Sequence, residues 1–218
     1  MQKLRAGILG ATGMVGQRFV SLLDNHPWFK LSCVAASPRS AGKKYNEAVE
    51  GRWLMEKEMP GNVKNLIVKK VEDDMDEIAK EVDFVFSALD MDKEAIRKIE
   101  ENYASKNIPV VSNNSAHRWT EDVPMLIPEI NPEHVKLIDI QRKNRGWHKG
   151  LIAVKPNCSI QSYVPIIKAL QEYKPKKAIV TTLQAISGAG KTLETWPEMK
   201  DNVIPFIKNE EEKSEQEP

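Results

Sequence analysis

The chain has 218 residues and nearly equal numbers of basic and acidic side chains, 32 against 31, which gives a formal net charge of +1. This balance carries no electrostatic signature of nucleic-acid or membrane-surface binding, and no apolar run reaches the length of a membrane span. Two cysteines without C-x-x-C spacing argue against a disulfide framework and a thiolate zinc site, and the N-terminus lacks a signal-peptide pattern, so we expect a cytoplasmic protein without a metal centre.

The first element predicted along the chain is a strand, followed by a glycine-rich turn and a helix. Leu4–Leu9 has the strand pattern, and Gly10-Ala11-Thr12-Gly13-Met14-Val15-Gly16 leads into a helical run with apolar residues at core spacing. Such a turn lets a pyrophosphate approach the backbone and rest on the helix N-terminus, although its G-x-x-G-x-x-G spacing differs from the commoner G-x-G-x-x-G. We therefore expect cofactor contacts from Gly10, Thr12, Gly13, Met14 and Val15.

The second predicted strand, residues 31–36, ends in a loop that favours NADP over NAD. An NAD-binding enzyme would place an acidic residue here for the ribose 2′-hydroxyl, but the sequence reads Ser37-Pro38-Arg39-Ser40. One cation and two hydroxyls suit a 2′-phosphate, so Ser37, Arg39 and Ser40 are predicted to bind it. The alternative for Arg39 is an ordinary solvated loop arginine.

Strand and helix patterns alternate through the residues that follow. Such alternation predicts parallel strands joined by right-handed crossovers, which is an α/β fold with a doubly wound, Rossmann-type sheet. Ligands of such sheets bind at the carboxyl ends of the strands, and the ends here are small or polar, so Ser87 and Asn113 are further predicted cofactor contacts. The predicted strands are 66–68, 84–88, 109–112 and 151–154, and the predicted helices include 93–105 and 132–145.

The sequence Pro156-Asn157-Cys158-Ser159 is the strongest candidate for a catalytic site. It stands between the apolar run 151–154 and an amphipathic pattern that includes Tyr163, which predicts a thiol at a helix N-terminus. Unpaired backbone N–H groups and the helix dipole stabilise an anion there, so Cys158 is predicted to have a lowered pKa and to act as a nucleophile. The competing interpretation is that a free cysteine is a small buried hydrophobic residue.

A near match to a nucleotide-binding P-loop occurs at residues 185–192, after a predicted strand over 178–183. A P-loop opens a long helix and is followed by further strands, whereas Pro197 comes five residues after Thr192. A P-loop NTPase is therefore disfavoured.

Five motifs, in their order and spacing, resemble aspartate-semialdehyde dehydrogenases of the archaeal and fungal type, and the resemblance covers the whole chain. They are the segments 10–16, 37–43, 112–118, 156–159 and 184–190. Enzymes of this family reduce L-aspartyl 4-phosphate with NADPH to aspartate semialdehyde and phosphate, on the route to lysine, threonine and methionine. The resemblance thus implies an NADP-dependent oxidoreductase that acts on a small acyl phosphate.

The resemblance also assigns roles to residues of the matching motifs. Cys158 would be the acylated nucleophile, and Gln184 would help to orient the substrate. Arg118, with Asn157 and Ser115, would hold the substrate phosphate. The nicotinamide would be lined by Ser187, Gly188 and Gly190.

These roles are chemically coherent, but the residues also allow simpler interpretations. Thiolate attack on an acyl phosphate expels phosphate and leaves a thioester, which accepts hydride far more readily than a carboxylate. An arginine suits the phosphate because its planar fork binds two oxygens at once. Against this, Arg118 could form a surface ion pair with Glu121 or Asp122. Gln184 could be a buried amide satisfied by backbone, and Asn157 could cap the helix.

Members of this family continue well past the point where this chain stops, and the remaining part carries a histidine general base and an arginine for the substrate carboxylate. The resemblance therefore implies a fragment: an NADP-binding domain over 1–155 and the start of an α+β catalytic and dimerisation domain over 156–218. We expect little or no turnover from it, and a homodimer or homotetramer when the protein is complete. The histidines at 26, 117, 134 and 148 are expected to be solvated or capping residues rather than a replacement base.

Three functions fit the sequence. The leading one is the acyl-phosphate reductase. A second is an acyl-CoA reductase of the same superfamily, such as malonyl-CoA reductase, but Asn157 favours the phosphate substrate because the CoA-dependent relatives tend to lose this asparagine. A third is a non-catalytic dinucleotide-binding module, against which the intact cysteine turn argues.

Overall fold

The computed structural model describes residues 2–218, which divide into two compact units. The first unit comprises the chain up to Met125 together with His134–Lys155, and the second comprises Leu126–Glu133 and Pro156–Pro218. In this part of the chain, no helix has the length and apolar character needed to cross a membrane.

The first unit is built on a six-stranded, fully parallel sheet with the strand order β3-β2-β1-β4-β5-β6. The order reverses between β1 and β4, which is the arrangement of the doubly wound dinucleotide-binding fold, so the predicted fold class is confirmed. The strands are β1 (Leu4–Leu9), β2 (Phe29–Ala36), β3 (Lys69–Lys70), β4 (Phe84–Ser87), β5 (Pro109–Ser112) and β6 (Leu151–Val154).

Seven α-helices occur in the described residues, five of them in the first unit. They are α1 (Met14–Leu22), α2 (Tyr45–Ala48), α3 (Met75–Glu81), α4 (Lys93–Ser105), α5 (Leu137–Arg145), α6 (Ile160–Ala169) and α7 (Glu210–Gln216). The predicted helix over 93–105 is confirmed with the same bounds, whereas the predicted helix over 132–145 begins with a 3₁₀ turn, Pro132–Lys136, before α5. A first turn of 3₁₀ geometry is common at helix termini.

The core of the first unit consists of two apolar clusters to which successive strand residues contribute in turn. In β1, Ile8 belongs to one cluster and Leu9 to the other, as the alternation of side chains along a strand requires. On the edge strand β6, the outward-facing backbone groups of Ile152 bond to a buried side chain of α5. The Gln141 amide accepts from the Ile152 N–H and donates to the Ile152 carbonyl. A fully buried glutamine therefore replaces a neighbouring strand.

Two predicted strands are wrong. Residues 66–68 do not join the parallel sheet, because their backbone bonds to the loop after β2: the Val68 N–H donates to the Lys43 carbonyl and the Tyr45 N–H to the Leu66 carbonyl. Residues 178–183 form no regular structure, and the side chains of Ile179 and Leu183 are 88% and 94% exposed. A strand needs a partner for its hydrogen-bond ladder, and the described residues offer none to this segment.

The turn between β1 and α1 depends on two glycines. Gly10 has a φ of +82°, and a Cβ there would lie 2.3 Å from the Ala88 carbonyl oxygen. A Cβ on Gly16 would lie 2.2 Å from the Gly10 carbonyl oxygen and 2.7 Å from the Ala11 Cα. Both contacts are with backbone, so neither can be relieved by rotating a side chain, and the close approach of α1 to β1 requires glycine at both positions.

We predict that Gly16→Ala destabilises the protein, although alanine is the better helix former by about 1 kcal/mol. The added methyl must displace the turn backbone, and overpacking of this kind costs about 1–3 kcal/mol in the free energy of unfolding measured by urea denaturation. The matched control is Gly61→Ala, where a Cβ has no neighbour within 4 Å. Equal stability of the two variants would contradict the prediction.

Candidate active site

The start of α1 offers unpaired donors to an anion. Its N-cap is Gly13, which provides no side-chain cap, and no acidic residue lies in its first turn. The orphan N–H groups and the positive end of the helix dipole therefore face the turn without a built-in acceptor. A Cβ on Gly13 would have a nearest neighbour at 3.5 Å, so the space beside it is open where that beside Gly10 and Gly16 is filled. This geometry fits a pyrophosphate.

A buried glutamine that the sequence analysis missed holds this turn in place. The Gln17 side chain is 1% exposed, and its amide donates to the Thr12 and Arg52 carbonyls at 3.1 and 2.8 Å. Its oxygen accepts from the Leu54 N–H at 2.8 Å. A polar residue on the apolar face of α1, directly after Gly16, the last glycine of the motif, was the available signal.

The loop after β2 has the chemistry expected for a phosphate contact. Ser37 and Arg39 are exposed at the carboxyl end of β2, and Ser40 is buried, with its N–H donating to the Ser37 carbonyl at 3.0 Å. Within residues 2–218, Arg39 forms no ion pair that would occupy its guanidinium. The structure thus leaves Arg39 available at the edge where the glycine turn also lies.

The ends of β4 and β5 are joined by hydrogen bonds. The Asn113 N–H donates to the Ser87 carbonyl at 2.9 Å, and the Asn114 side chain donates to the Ser87 hydroxyl at 3.0 Å. Ser87 is fully buried, so its hydroxyl holds the strand ends together. Both residues predicted to contact the cofactor in this region therefore lie at neighbouring positions of the same sheet edge.

Arg118 is buried in the first unit, in the segment after Asn114 that also contains Ser115. Its side chain is among the buried polar groups, and its Nε donates to the Lys155 carbonyl at 3.1 Å. The alternative partner Asp122 is engaged by Arg145, whose two guanidinium nitrogens donate to its oxygens at 2.8 Å each. The hydrogen bond from Arg145 lowers the pKa of Asp122 below its usual range. Arg118 is therefore a buried residue, and Asp122 is paired with another arginine.

The second unit contains an exposed thiol beside a cavity. Cys158 lies two residues before the first residue of α6, and its side chain is exposed, which rules out the interpretation of a buried hydrophobic cysteine. It borders a cavity of about 520 Å³ that is also lined by Gln184, Ser187 and Gly188, whereas Gly190 follows the 3₁₀ turn that ends at Ala189. The other cysteine, Cys33, is buried, and burial raises its pKa to about 12.

Asn157 uses its donors on acceptors outside the helix. Its side-chain nitrogen donates to the Ser159 hydroxyl at 3.0 Å and to the Glu210 carboxylate, and its N–H donates to Glu217 at 2.6 Å. The N-cap of α6 is Ser159, and no side chain caps this helix. The role of helix cap is therefore not taken by Asn157, and its two nitrogens bind carboxylates.

Glu210 is the site residue that the sequence analysis missed. Its carboxylate accepts from Gln184 at 2.6 Å and from Asn157, so the Gln184 amide bonds to a side chain and not to backbone. Burial alone would raise the pKa of Glu210, but hydrogen bonds from Gln184, Ser159 and Asn157 outweigh it, and the pKa is lowered. The carboxylate is thus ionised at neutral pH.

No apolar periodicity in the sequence marked Glu210, and only the structure shows that the acidic tail is a helix with one partly buried face. The inward-facing residues of this tail recur at helical spacing, and the residues between them are exposed. Tyr163 donates to the Ser214 carbonyl at 3.2 Å, one turn after Glu210. The partly buried set is Glu210, Lys213, Ser214 and Glu217.

The near P-loop does not form the structure that such a loop requires. Within 185–192 there is one 3₁₀ turn, Ile186–Ala189, and no α-helix follows it before α7. The segment instead contributes Ala185, Ser187 and Gly188 to the cavity wall beside Cys158.

The first unit, with its doubly wound sheet, glycine turn and uncapped α1, defines a dinucleotide-binding domain. Residues 5–138 match the family described as "Semialdehyde dehydrogenase, NAD binding domain", and the chain therefore belongs to the semialdehyde dehydrogenase family.

Relatives of the chain carry the name aspartate-semialdehyde dehydrogenase, in agreement with the predicted resemblance. The protein of that name from Archaeoglobus fulgidus is 46% identical over 97% of this chain, and the one from Aspergillus fumigatus is 41% identical over 99%. A crystal structure of aspartate-semialdehyde dehydrogenase with NADP from Candida albicans superimposes with a TM-score of 0.81 at 36% identity, over 98% of this chain and 58% of that one. The chain spans 59% and 58% of the two relatives' lengths.

We predict that Cys158 and Cys33 differ sharply in reactivity. Brief treatment with iodoacetamide at pH 7 should alkylate Cys158 and leave Cys33 unmodified, as read by peptide mass spectrometry. Cys158 is exposed, whereas Cys33 is buried, and burial raises its pKa to about 12, so its thiol is protonated at pH 7 and shielded from the reagent.

The control is Cys158→Ser, which should show no labelled peptide when folded and a labelled Cys33 in 8 M urea. Preferential labelling of Cys33 in the folded protein would overturn the assignment of the reactive thiol.

Proposed function

We propose that the protein is an NADP-dependent aspartate-semialdehyde dehydrogenase, which converts L-aspartyl 4-phosphate to L-aspartate 4-semialdehyde and phosphate through a thioester on Cys158. The observation that carries the proposal is the exposed thiol at the start of α6, bordering one cavity with Gln184. Membership of the semialdehyde dehydrogenase family and the names of the relatives support the same reaction.

The residues proposed to hold NADP are those of the glycine turn and of the neighbouring strand ends. Gly10, Thr12, Gly13 and the first residues of α1 would bind the pyrophosphate, and Arg39 with its neighbouring serines would bind the 2′-phosphate. Asn113 would contact the second half of the dinucleotide, and the fully buried Ser87 would hold the strand end behind it. When bound, the reduced cofactor supplies the hydride.

Cys158 carries the covalent chemistry. Its sulfur attacks the acyl carbon, the bond from that carbon to the phosphate oxygen breaks, and phosphate leaves with the bonding electron pair. Once the thioester carbonyl has accepted hydride, the carbon–sulfur bond breaks, which releases the aldehyde and restores the thiolate. Backbone N–H groups at the start of α6 are suited to stabilise the oxyanion of each tetrahedral intermediate.

Asn157 is proposed to bind the phosphate of the substrate, and Glu210 is proposed to bind its ammonium group. The two nitrogens of Asn157 bind carboxylates in this structure, which supports a site for the substrate phosphate, although the phosphate would have to displace them. Glu210 is an ionised carboxylate held by Gln184, and it is the natural acceptor for the α-ammonium group of an aspartyl substrate. Ser115 and Arg118 of the first unit remain proposed phosphate ligands.

We also propose that the protein works in the cytoplasm as a homo-oligomer, a dimer or a tetramer. The second unit exposes large apolar side chains, which favours burial against a further surface. They are Ile179, Leu183, Val203 and Phe206.

The reaction is tested by following NADPH oxidation by the full-length protein with aspartyl phosphate and, separately, with malonyl-CoA. We expect turnover with the acyl phosphate and loss of at least ~10³-fold in Cys158→Ser, because the nucleophile has no substitute. The matched control Cys33→Ala should keep its activity. Turnover with malonyl-CoA alone would identify the acyl-CoA reductase, and NADPH binding without turnover on either substrate would identify a binding module.

The cofactor preference is tested with Arg39→Ala. Loss of a charge-assisted contact of about 1.5–3 kcal/mol should weaken NADPH binding roughly 10- to 150-fold and leave NADH binding unchanged, as measured by fluorescence titration. The control is Lys30→Ala, which removes an exposed cation from the opposite end of the same strand and should affect neither cofactor. Equal losses for NADPH and NADH in Arg39→Ala would sink the assignment.

A further inference from the structure

A buried carboxylate lies beneath the ends of β4 and β5. Glu100, on α4, is 0% exposed, and its Oε1 accepts from the Ser112 hydroxyl at 2.7 Å and from the Asn114 side-chain nitrogen at 3.1 Å. Neither donor is charged. A carboxylate removed from water without a basic partner is expensive, so its presence in the core requires a reason beyond packing.

Asn114 connects this carboxylate to both strand ends. Its side-chain nitrogen also donates to the Ser87 hydroxyl, and its N–H donates to the Ser112 hydroxyl, each at 3.0 Å. The Asn113 N–H is bonded to the Ser87 carbonyl. One oxygen of Glu100 thus organises the residues that border the second half of the proposed NADP cleft.

His117 faces the other oxygen of the same carboxylate. The Glu100 Oε2 and the His117 Nε2 are 4.0 Å apart, and within residues 2–218 they are the buried side-chain atoms without a hydrogen-bond partner. The expectation that His117 is solvated or a cap is therefore wrong, because the ring is 1% exposed. Its Nδ1 lies 3.1 Å from the Thr120 hydroxyl. At this separation the two atoms do not form a hydrogen bond, so the Glu100 carboxyl is held through its Oε1 alone.

The surroundings of His117 favour an uncharged ring. Burial lowers the pKa of His117, and this outweighs the opposing effect of the Glu100 and Glu101 carboxylates, while Arg145 also acts to lower it. His117 is therefore an uncharged neighbour of Glu100 at neutral pH.

We propose that Glu100 is a positioning residue for the nicotinamide half of the NADP site. In a doubly wound fold the adenosine half is bound at the ends of β1 and β2, and the other half is bound across the reversal of strand order, on the side of β4 and β5. Glu100 holds that second side through Ser112, Asn114 and Ser87. This inference rests on the proposed function.

The test compares two ligands in the full-length protein: NADPH, which spans both halves of the cleft, and adenosine 2′,5′-bisphosphate, which fills the adenosine half alone. We expect Glu100→Leu to weaken NADPH binding about tenfold, the size of one lost polar contact, and to leave the bisphosphate affinity unchanged. Glu100→Gln keeps the acceptor and supplies a donor toward His117, so its NADPH affinity should stay within about twofold of the wild type. Both affinities are measured by calorimetry.

Asn114→Ala is the second variant, because it removes the link to Ser87 from a partly buried loop position, and it should show the same split between the ligands. The control is Glu101→Ala on the same helix, which removes a half-exposed ion pair with Arg145 and should change neither affinity. If Glu100→Leu and Asn114→Ala lose affinity for both ligands in parallel, the role of these residues is merely structural and the proposal is overturned. Unchanged NADPH affinity in both variants, or a tenfold loss of NADPH affinity in Glu100→Gln, would also overturn it. Failure of the wild type to bind NADPH would instead refute the proposed function.

Discussion

The first unit depends on one backbone contact, the approach of the α1 N-terminus to the end of β1. With less than 2.5 Å between the Gly10 carbonyl oxygen and any Cβ on Gly16, the turn is as tight as a main chain permits. This tightness aims the free N–H groups of α1 at the carboxyl edge of the sheet. The chemistry of the edge follows from it, because the ends of β2 and β4 lie beside the end of β1, and the end of β5 lies beside that of β4, in a parallel sheet. The Gln17 side chain stabilises the turn by donating to the carbonyls of Thr12 and Arg52, which lie outside helices and strands.

The second unit is organised by charge more than by apolar packing. Its described residues contain no strand, and its large apolar side chains are mostly exposed. What brings its segments together is a set of hydrogen bonds from Asn157, Gln184 and Tyr163 to α7. A helix of seven residues is marginal alone, so the docking of its polar face carries much of its stability. The same contacts put an ionised carboxylate beside the amide that borders the thiol cavity.

Local patterns predicted most of the first unit, because an apolar run between turn residues has few alternatives within a doubly wound sheet. β1, β5, β6 and α4 have the predicted bounds. The errors occurred where partners are distant in sequence. Residues 66–68 bond to the loop near Lys43, and Glu210 meets Asn157 across 53 positions. The hydrophobic periodicity of a short sequence segment carries no information about contacts with distant residues. The burial of His117 was not predicted for the same reason, because the residues around it come from α4 and α5 and not from its own segment.

Because Cys33 is buried, the rate at which its thiol is modified reports local opening of the sheet. Cys33 stands in β2 opposite Gly7 of β1 and is 3% exposed, so no reagent reaches its sulfur until the sheet separates. Once Cys158 has been blocked, the slow modification of Cys33 measures how often the part of the sheet formed by β1 and β2 opens. When closing is fast compared with modification, the ratio of the observed rate to that of an unfolded thiol gives the free energy of this opening directly. This measurement needs neither substrate nor turnover. Ligands can therefore be ranked by how much they slow the modification of Cys33, and the stabilisation of β2 by each part of a dinucleotide can be measured apart from catalysis.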